Sequence, residues 1–312
     1  MSKLKGLLLT DGMHGMISQV EGLAKALDLD YFHEKIELNS FWKMIPPKFT
    51  PISRAVFKNK INKDYDIIIS CGRKSVIPSI YLKHNLNKKI ITIHIQDPKV
   101  SLDHFDYIVV PEHDSLEGKN VIKTKGAIHY LTLEEIGKNR DYLGNKVDKH
   151  KEILTLILGG PTKHYKYTEK NLENIFYKIK KNIESHNLQL IIVPSIRTPK
   201  NIISLAKNYF DDESLIIDQV DKKAYLSSLS ISKYIVVTCD SSSMISEAAL
   251  TGKPIYIAQI PPARNDYRFK KFRNLFKELN IVRELNGKLE NWNYEKLDET
   301  NRIAKEIKEK LS

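Results

Sequence analysis

Residues 236–257 read VVTCDSSSMISEAALTGKPIYI. The pattern predicts a buried strand, a loop of small hydroxyl residues, a short helix carrying Glu247, a Gly-x-Pro stop and a second strand. A helix that follows a strand presents unpaired backbone N–H groups and a partial positive charge at its first turn. Because the side chains of Ser241, Ser242 and Ser243 are small, a phosphate group can approach those N–H groups closely. Glu247 lies within the first turns of the same helix, where a carboxylate can accept hydrogen bonds from a ribose. The stretch therefore indicates a site for a nucleoside diphosphate.

Short apolar runs alternate with helical patterns along the whole chain. Most of the runs are rich in Ile and Val without polar alternation, as is typical of parallel strands buried on both faces. The predicted strands are Leu4–Thr10, Tyr65–Ser70, Ile90–Ile95, Phe105–Pro111, Ile153–Leu158, Leu188–Pro194, Ser214–Asp218, Tyr234–Thr238 and Pro254–Ala258. This alternation predicts an α/β protein with doubly wound parallel sheets.

The length of 312 residues favours two domains. A polar stretch near residues 141–151 separates them, and we expect an N-terminal Rossmann-like domain over 1–148 and a second one over 149–312. The last part, from about Arg268, predicts helices that form a C-terminal tail of the second domain.

The composition limits the classes of function. The chain is 41% hydrophobic and 28% charged, with a net charge of +12. Its apolar runs are shorter than the roughly 18 residues of a membrane span, and its start lacks the features of a signal peptide, so we expect a cytoplasmic protein. The lysines are spread along the chain without a nucleic-acid motif, which favours solvated lysines over a nucleic-acid partner, with attraction to an anionic membrane surface as the second interpretation. The cysteines, Cys71 and Cys239, lie far apart and predict buried thiols.

Both predicted domains begin with a strand followed at once by glycines. Gly12 and Gly15 follow the first strand, and Gly159 and Gly160 follow the strand that opens the second domain. Glycine lets the backbone turn sharply and approach a ligand, and ligands of open α/β sheets bind beyond the carboxyl ends of the strands. We therefore expect the two loops to line the two walls of one cleft.

Charged side chains also follow predicted strand ends. Arg197 comes after the strand ending at Pro194 and can donate to a phosphate, although a surface arginine before a helix capped by Thr198 fits the pattern equally. His113, Asp97 and His14 are the candidate general bases, and solvated side chains are the alternative for each. No Cys/His cluster with metal-ligand spacing occurs, which favours a metal-independent site.

Several of these motifs occur together in the order of a known family. They are Asp11-Gly12-x-x-Gly15, Ser70-x-Gly72-Arg73, Gln96-Asp97-Pro98, Pro111-Glu112-His113-Asp114, Gly126-Ala127-x-His129, Gly159-Gly160, Ser195-x-Arg197-Thr198-Pro199 and the block from Asp240 to Pro254. The combination resembles the family named for a plant mitochondrial-fission (elongated-mitochondria) protein, in a bacterial-type form. The resemblance implies a GT-B glycosyltransferase fold of two Rossmann-like domains facing across a cleft. The first loop of that family usually ends in His, where this chain has Met16.

A more distant likeness runs to the transferase that adds N-acetylglucosamine to the lipid-linked peptidoglycan precursor. It rests on the Gly-rich first loop, the Gly-Gly loop and the spacing of Ser246-Glu247 to Gly252-x-Pro254. By that likeness Glu247 would bind the donor ribose, and Ser242 and Ser243 the diphosphate.

The sequence leads to the hypothesis of a metal-independent glycosyltransferase that has no resident cofactor. Its donor would be a nucleotide sugar, with UDP favoured, and a membrane or envelope precursor would supply its acceptor. A peripheral location at the inner face of the membrane would suit the positive charge. Two alternatives stay open: a non-catalytic GT-B adaptor like the plant namesake, and a sugar-nucleotide epimerase.

Overall fold

The computed structural model describes residues 3–61, 64–85 and 89–311. The chain folds into two compact units, one formed by the residues up to Tyr130 together with those from Asp298, the other by Leu131–Leu297.

Strands and helices alternate in both units. The strands are β1 (Lys5–Thr10), β2 (Asp30–Lys35), β3 (Ile67–Cys71), β4 (Ile91–Ile95), β5 (Tyr107–Pro111), β6 (Val121–Thr124), β7 (Glu152–Leu158), β8 (Leu188–Pro194), β9 (Leu215–Ile216), β10 (Tyr234–Thr238), β11 (Ile255–Ala258) and β12 (Val282–Glu284). The helices are α1 (His14–Ala26), α2 (Val76–His84), α3 (Leu133–Lys138), α4 (Glu169–His186), α5 (Lys200–Tyr209), α6 (Lys222–Ile231), α7 (Ser242–Ala249), α8 (Tyr267–Glu278) and α9 (Glu299–Leu311).

Each unit contains a six-stranded sheet. The order is β2-β1-β3-β4-β5-β6 in the first unit and β12-β11-β10-β7-β8-β9 in the second. All paired strands run parallel. Because helices cover both faces, the inner strands β3, β8, β10 and β11 are buried along their whole length and the others everywhere except at their ends. This burial explains their Ile, Leu and Val runs. The predicted α/β class with parallel sheets is confirmed.

The predicted strands match the observed ones except at the sheet edges. The sequence patterns missed β2, β6 and β12, and the predicted strand Ser214–Asp218 is observed as the shorter β9. All four of these strands lie at an edge of their sheet. An edge strand has one unpaired side and partial exposure, so its sequence can be short or polar, as in DYFHEK of β2.

The division into units differs from the predicted boundary at 148/149. Helix α9, expected as a tail of the second domain, packs on α1 of the first unit, where Ile303 and Ile307 join the core that contains Leu23. Residues after Tyr130 instead belong to the second unit, since Glu135 of α3 pairs with Lys222 of α6 at 2.8 Å. The apolar face of α9 packs against the first unit. Local sequence patterns do not predict which unit such a helix packs on.

Candidate functional site

A buried carboxylate lies at the carboxyl end of β10. The side chain of Asp240 has no solvent exposure. It accepts hydrogen bonds from the Gly160 backbone N–H at 3.0 Å, the Tyr167 hydroxyl at 2.6 Å and the Arg197 Nη2 at 2.9 Å. A buried carboxylate is tolerated only when it is paired and hydrogen-bonded, so Asp240 holds the loops after β7, β8 and β10 together. We call this group the Asp240 cluster: Asp240, Gly160, Tyr167 and Arg197.

The glycine pair after β7 is packed against this cluster. A Cβ atom on Gly159 would lie 2.2 Å from the Asp240 Oδ2, and one on Gly160 would lie 2.2 Å from the Arg197 carbonyl oxygen. The Gly159 N–H donates to the Thr238 hydroxyl at 2.8 Å. The sequence pattern predicts that a ligand lies close to these glycines. In the structure, side-chain and backbone atoms of the chain itself occupy the space beside their Cα atoms.

Arg197 reaches the cluster from the turn after β8. Its Nη1 donates to the Gly160 carbonyl at 2.8 Å, while Nη2 bonds Asp240, and its side chain retains 37% exposure. The two bonds fix the guanidinium plane, and the exposed part remains accessible to an anion. Thr198 does not cap α5, which begins at Lys200 with Pro199 at its N-cap. Its hydroxyl instead accepts from the Ser195 backbone N–H at 2.8 Å and so stabilises the turn that carries Arg197.

Helix α7 begins directly after the cluster. The Ser241 hydroxyl caps it by accepting from the Met244 N–H at 3.4 Å, and Ser242 and Ser243 form its first two positions, both half-buried. The first N–H groups of a helix lack intrahelical acceptors and carry partial positive charge. Two groups that attract anions therefore lie at the carboxyl ends of the second sheet. They are the hydroxyl-rich start of α7 and the exposed part of Arg197.

Glu247 lies on α7, two turns at most from its start. The residue as a whole is half-buried, and its carboxylate accepts a hydrogen bond from the Tyr225 hydroxyl at 2.6 Å. Burial raises the pKa of Glu247 to about 7, and the Tyr225 hydrogen bond opposes this rise. Both protonation states are therefore populated near neutral pH.

A second buried ion pair braces the loop that carries Asp240, and the sequence patterns did not indicate it. Arg273 of α8 donates from Nη2 to the Asp266 carboxylate at 3.1 Å, and from Nη1 to the Tyr165 hydroxyl at 2.9 Å and to the Cys239 carbonyl at 3.2 Å. Tyr165 in turn donates to Asp266 at 2.7 Å. Tyr165 and Cys239 are far from Arg273 in the chain, so no local spacing could reveal these contacts. Cys239 and Cys71 are buried free thiols, as expected.

The loop after β1 in the first unit is built differently. Gly12 has a φ of +87°, a conformation that favours glycine, whereas Gly15 lies in the first turn of α1, where a Cβ would have no atom within 4 Å. His14 is the first residue of α1 and is exposed. Of the two glycines, the backbone conformation requires only Gly12.

The other two candidate bases are held by neighbours in their own turns. Asp97 follows β4 and accepts from the Lys99 N–H at 2.9 Å, and its other oxygen pairs with the Lys99 ammonium. Burial acts to raise the pKa of Asp97, but the hydrogen bonds and charge of Lys99 outweigh it and lower the pKa below its usual value. The Nε2 of His113, after β5, lies 3.7 Å from the Asp114 carboxylate.

The structure thus brings Gly159, Gly160, Arg197 and Ser241 together around Asp240, with Glu247 further along the same helix. Asp240, Tyr167 and Tyr225 are site residues that the sequence interpretation left out. Among residues 3–61, 64–85 and 89–311, no three His, Cys, Asp or Glu side chains converge as metal ligands. No helix of the described chain is both long and apolar enough to cross a membrane.

Solved structures of GT-B type share this architecture. The glycotransferase of kitacinnamycin matches with a TM-score of 0.56, at 11% identity, over 100% of both chains. The UDP-GlcNAc 2-epimerase of Neisseria meningitidis, solved with bound UDP-GlcNAc, matches with a TM-score of 0.54, at 11% identity, over 99% of both chains. At such low identity these likenesses show the fold alone.

Sequence relatives agree with the motif resemblance. A Rickettsia prowazekii (strain Madrid E) protein, uncharacterized protein RP120, is 27% identical over 96% of this chain and 97% of its own length. The mitochondrial fission protein ELM1 of Arabidopsis thaliana is 24% identical over 79% of this chain and 64% of its own length. The model of the family described as mitochondrial fission ELM1 matches residues 14–311. With the motifs, the two-sheet fold and this match in agreement, the chain belongs to the mitochondrial fission ELM1 family.

Proposed function

We propose that this protein is a metal-independent glycosyltransferase that binds a nucleoside-diphosphate sugar, with UDP favoured, at the strand ends of its second unit. The observation that carries the proposal is the placement of Arg197 and the start of α7 around one buried carboxylate, with Glu247 on the same helix. The fold likeness to a protein solved with UDP-GlcNAc supports this choice of ligand class.

The diphosphate would lie at the start of α7. The backbone N–H groups of Ser242 and Ser243, the helix dipole and the exposed part of the Arg197 guanidinium would bind its oxygens. The Asp240 cluster would keep Arg197 in position, because two of the guanidinium hydrogen bonds are already made within the protein. The same N–H groups, helix dipole and guanidinium would stabilise the diphosphate as the leaving group.

Glu247 would accept hydrogen bonds from the ribose hydroxyls. Only the ionised carboxylate is a pure acceptor, and the pKa of about 7 means that ionisation is incomplete at neutral pH. Bound ribose would favour the charged form, so nucleotide affinity should rise as the pH increases through about 7.

Three first-unit residues remain candidates for the general base that deprotonates an acceptor hydroxyl. Asp97 is the weakest base of the three, because the Lys99 ion pair lowers its pKa. The other two candidates are histidines, the residue type most often used as a general base. His113 lies beside Asp114, and His14 is exposed.

Two other functions have support of their own. An epimerase is favoured by the solved neighbour from Neisseria meningitidis, and an adaptor by the name of the Arabidopsis relative. An epimerase converts the donor without an acceptor, whereas an adaptor leaves it unchanged. A membrane-associated acceptor and a peripheral location at the membrane are part of the glycosyltransferase proposal.

Thermal shifts with UDP, GDP, ADP, TDP and CMP test the donor site. We expect UDP to raise the melting temperature of the wild type and of Glu173→Gln, an exposed matched control on α4, and to have a much smaller effect on Glu247→Gln. A shift that survives Glu247→Gln undiminished would contradict the ribose role, and no shift with any nucleotide would favour the adaptor. Incubation with UDP-GlcNAc, with and without membrane extract as the acceptor source, then separates the activities, since conversion without extract indicates an epimerase and conversion only with extract a transferase.

A further inference from the structure

The segment of residues 41–52, between β2 and β3, exposes large apolar side chains. Phe41 is 67% exposed, Met44 85% and Phe49 67%. Exposed apolar side chains concentrated in one segment mark an interaction surface, whereas scattered single ones do not. We call this segment the apolar loop.

The apolar loop is held in a defined shape. At its base the Asn39 N–H donates to the Val56 carbonyl at 2.9 Å, and Leu38 and Phe57 form an antiparallel bridge. In its middle the Arg73 guanidinium donates to the Ile45 carbonyl at 3.2 Å and also to that of Lys43. The exposure of the apolar side chains therefore belongs to an ordered loop.

The same part of the chain is strongly basic. Residues 41–60 contain Lys43, Lys48, Arg54, Lys58 and Lys60, and they contain no Asp or Glu. A positive charge of five in 20 residues, within a total of +12, gives this surface a local field that attracts anions.

A pocket of about 410 Å³ adjoins the apolar loop. It is lined by Pro46, Pro47, Lys48, Arg73, Gln96, Asp97, Pro98 and Lys99, so three cationic side chains meet one carboxylate there. It lies beyond the ends of β3 and β4, where open α/β sheets bind ligands. The Lys48 ammonium lies 4.6 Å from the centre of the Phe49 ring, which joins the basic pocket to the apolar side chains.

We propose that the apolar loop docks the protein on an anionic lipid bilayer, with the phosphate of a lipid headgroup in the basic pocket. Phe41, Met44 and Phe49 would enter the boundary between headgroups and acyl chains, while Lys48 and Lys99 would pair with the phosphate. The combination of exposed apolar side chains with an adjoining basic pocket matches an amphiphile with an anionic head. This surface belongs to the first unit and needs no nucleotide. The inference deepens the peripheral membrane location of the proposed function and rests on it, whereas the donor site is tested separately by the nucleotide thermal shifts.

Co-sedimentation with vesicles tests the proposal. We expect the wild type to sediment with vesicles that contain phosphatidylglycerol in phosphatidylcholine, to do so less at high salt, and to leave pure phosphatidylcholine vesicles largely unbound. The double variants Lys48→Ala/Lys99→Ala and Met44→Ser/Phe49→Ser should each lower the vesicle partition coefficient about tenfold or more. Matched exposed pairs in the second unit, Lys170→Ala/Lys181→Ala and Tyr177→Ser/Val220→Ser, should change it little.

Three outcomes would overturn the proposal. Equal binding to neutral and anionic vesicles, or undiminished binding by both loop variants, would exclude the headgroup site. If the wild type binds inorganic pyrophosphate but no vesicles, and Lys48→Ala/Lys99→Ala loses the pyrophosphate binding, the pocket would be assigned to a soluble phosphate compound. A dimer that Met44→Ser/Phe49→Ser abolishes, again without vesicle binding, would assign the loop to a second copy of the chain. Unchanged UDP thermal shifts in the loop variants would show that they fold and would separate this result from the fate of the donor site.

Discussion

The two units resemble each other in their first strands and differ at the ends of those strands. In each unit the first strand, β1 or β7, is followed by glycines. In the second unit Gly159 and Gly160 pack against Asp240 and Arg197, whereas in the first unit a Cβ on Gly15 would have no atom within 4 Å. The same local pattern can therefore represent a tightly packed junction of three loops or an open helix start. The difference comes from one residue, Asp240, whose burial requires partners from other loops.

Two of the candidate bases of the first unit lie beside near neighbours in their own turns. Asp97 bonds Lys99, two residues away, and His113 lies beside its neighbour Asp114. A charge can be satisfied by a near neighbour in its own turn, so nothing forces these side chains to converge. The predictions below test whether the second unit depends on its buried cluster in a way that the first does not.

The largest effect should come from Asp240→Ala. The substitution leaves Arg197, Tyr167 and the Gly160 N–H without their shared acceptor. We expect a loss of about 4 kcal/mol in the free energy of unfolding, by the cost of breaking a buried ion pair. Urea denaturation measures it, with Asp97→Ala as the control that should lose about 1 kcal/mol or less because its ion-pair partner Lys99 is exposed to solvent. Equal losses in the two variants would remove the contrast between the units.

Gly160→Ala should rank next. Its Cβ would lie 2.2 Å from the Arg197 carbonyl oxygen, so the two loops must separate. The expected destabilisation is about 2–3 kcal/mol, as for overpacking in a filled site. Nucleotide affinity should fall as well, because the displaced turn carries the guanidinium of Arg197. A variant as stable as the wild type would mean that the loop packing is looser than described.

Glu247→Gln should change the pH dependence of stability. The pKa of Glu247 is about 7 in the folded protein and near 4.5 when it is free in solution, so the folded state binds the proton more tightly. The stabilisation from this group is complete below the unfolded pKa and is lost as the pH rises through about 7. Relative to wild type, the variant should gain about 2 kcal/mol between roughly pH 5 and pH 8. Urea unfolding at several pH values measures this, and a flat difference would show that Glu247 titrates normally.

The smallest effect, and of opposite sign, is expected for Gly15→Ala. Gly15 lies in the first turn of α1 with open space at its Cβ position, so alanine should stabilise the helix by about 0.5–1 kcal/mol. Thermal unfolding beside Gly160→Ala gives the comparison directly. A clear destabilisation would mean that this loop, too, depends on a close approach.

Much of the fold was predictable because central parallel strands have a distinctive composition. The runs that form β7, β8 and β10 are mostly apolar, and their ends were placed within one or two residues. Edge strands such as β2 lack that signal, and α9 joins the first unit through Ile303 and Ile307, a choice made by tertiary packing. These features depend on contacts distant in sequence.

The candidate site was predictable only in part for the same reason. The hydroxyl-rich start of α7, with Glu247, is local and appears in the sequence. The partners Tyr167 and Tyr225 come from other elements, and Arg273 supports the loop from α8. A tyrosine that donates to a buried carboxylate looks in the sequence like any other tyrosine.

Hydrogen–deuterium exchange with and without UDP tests the central claim most directly, because it reports on both units in one experiment. The account predicts slower exchange in the segments 158–160, 195–198 and 238–249 of the second unit, with the loops 11–15, 96–99 and 112–115 of the first unit unchanged. Glu247→Gln should reduce that protection, whereas Glu173→Gln should keep it. Protection confined to the first-unit loops, or none at a UDP concentration that shifts the melting temperature, would contradict the assignment of the nucleotide to the second unit.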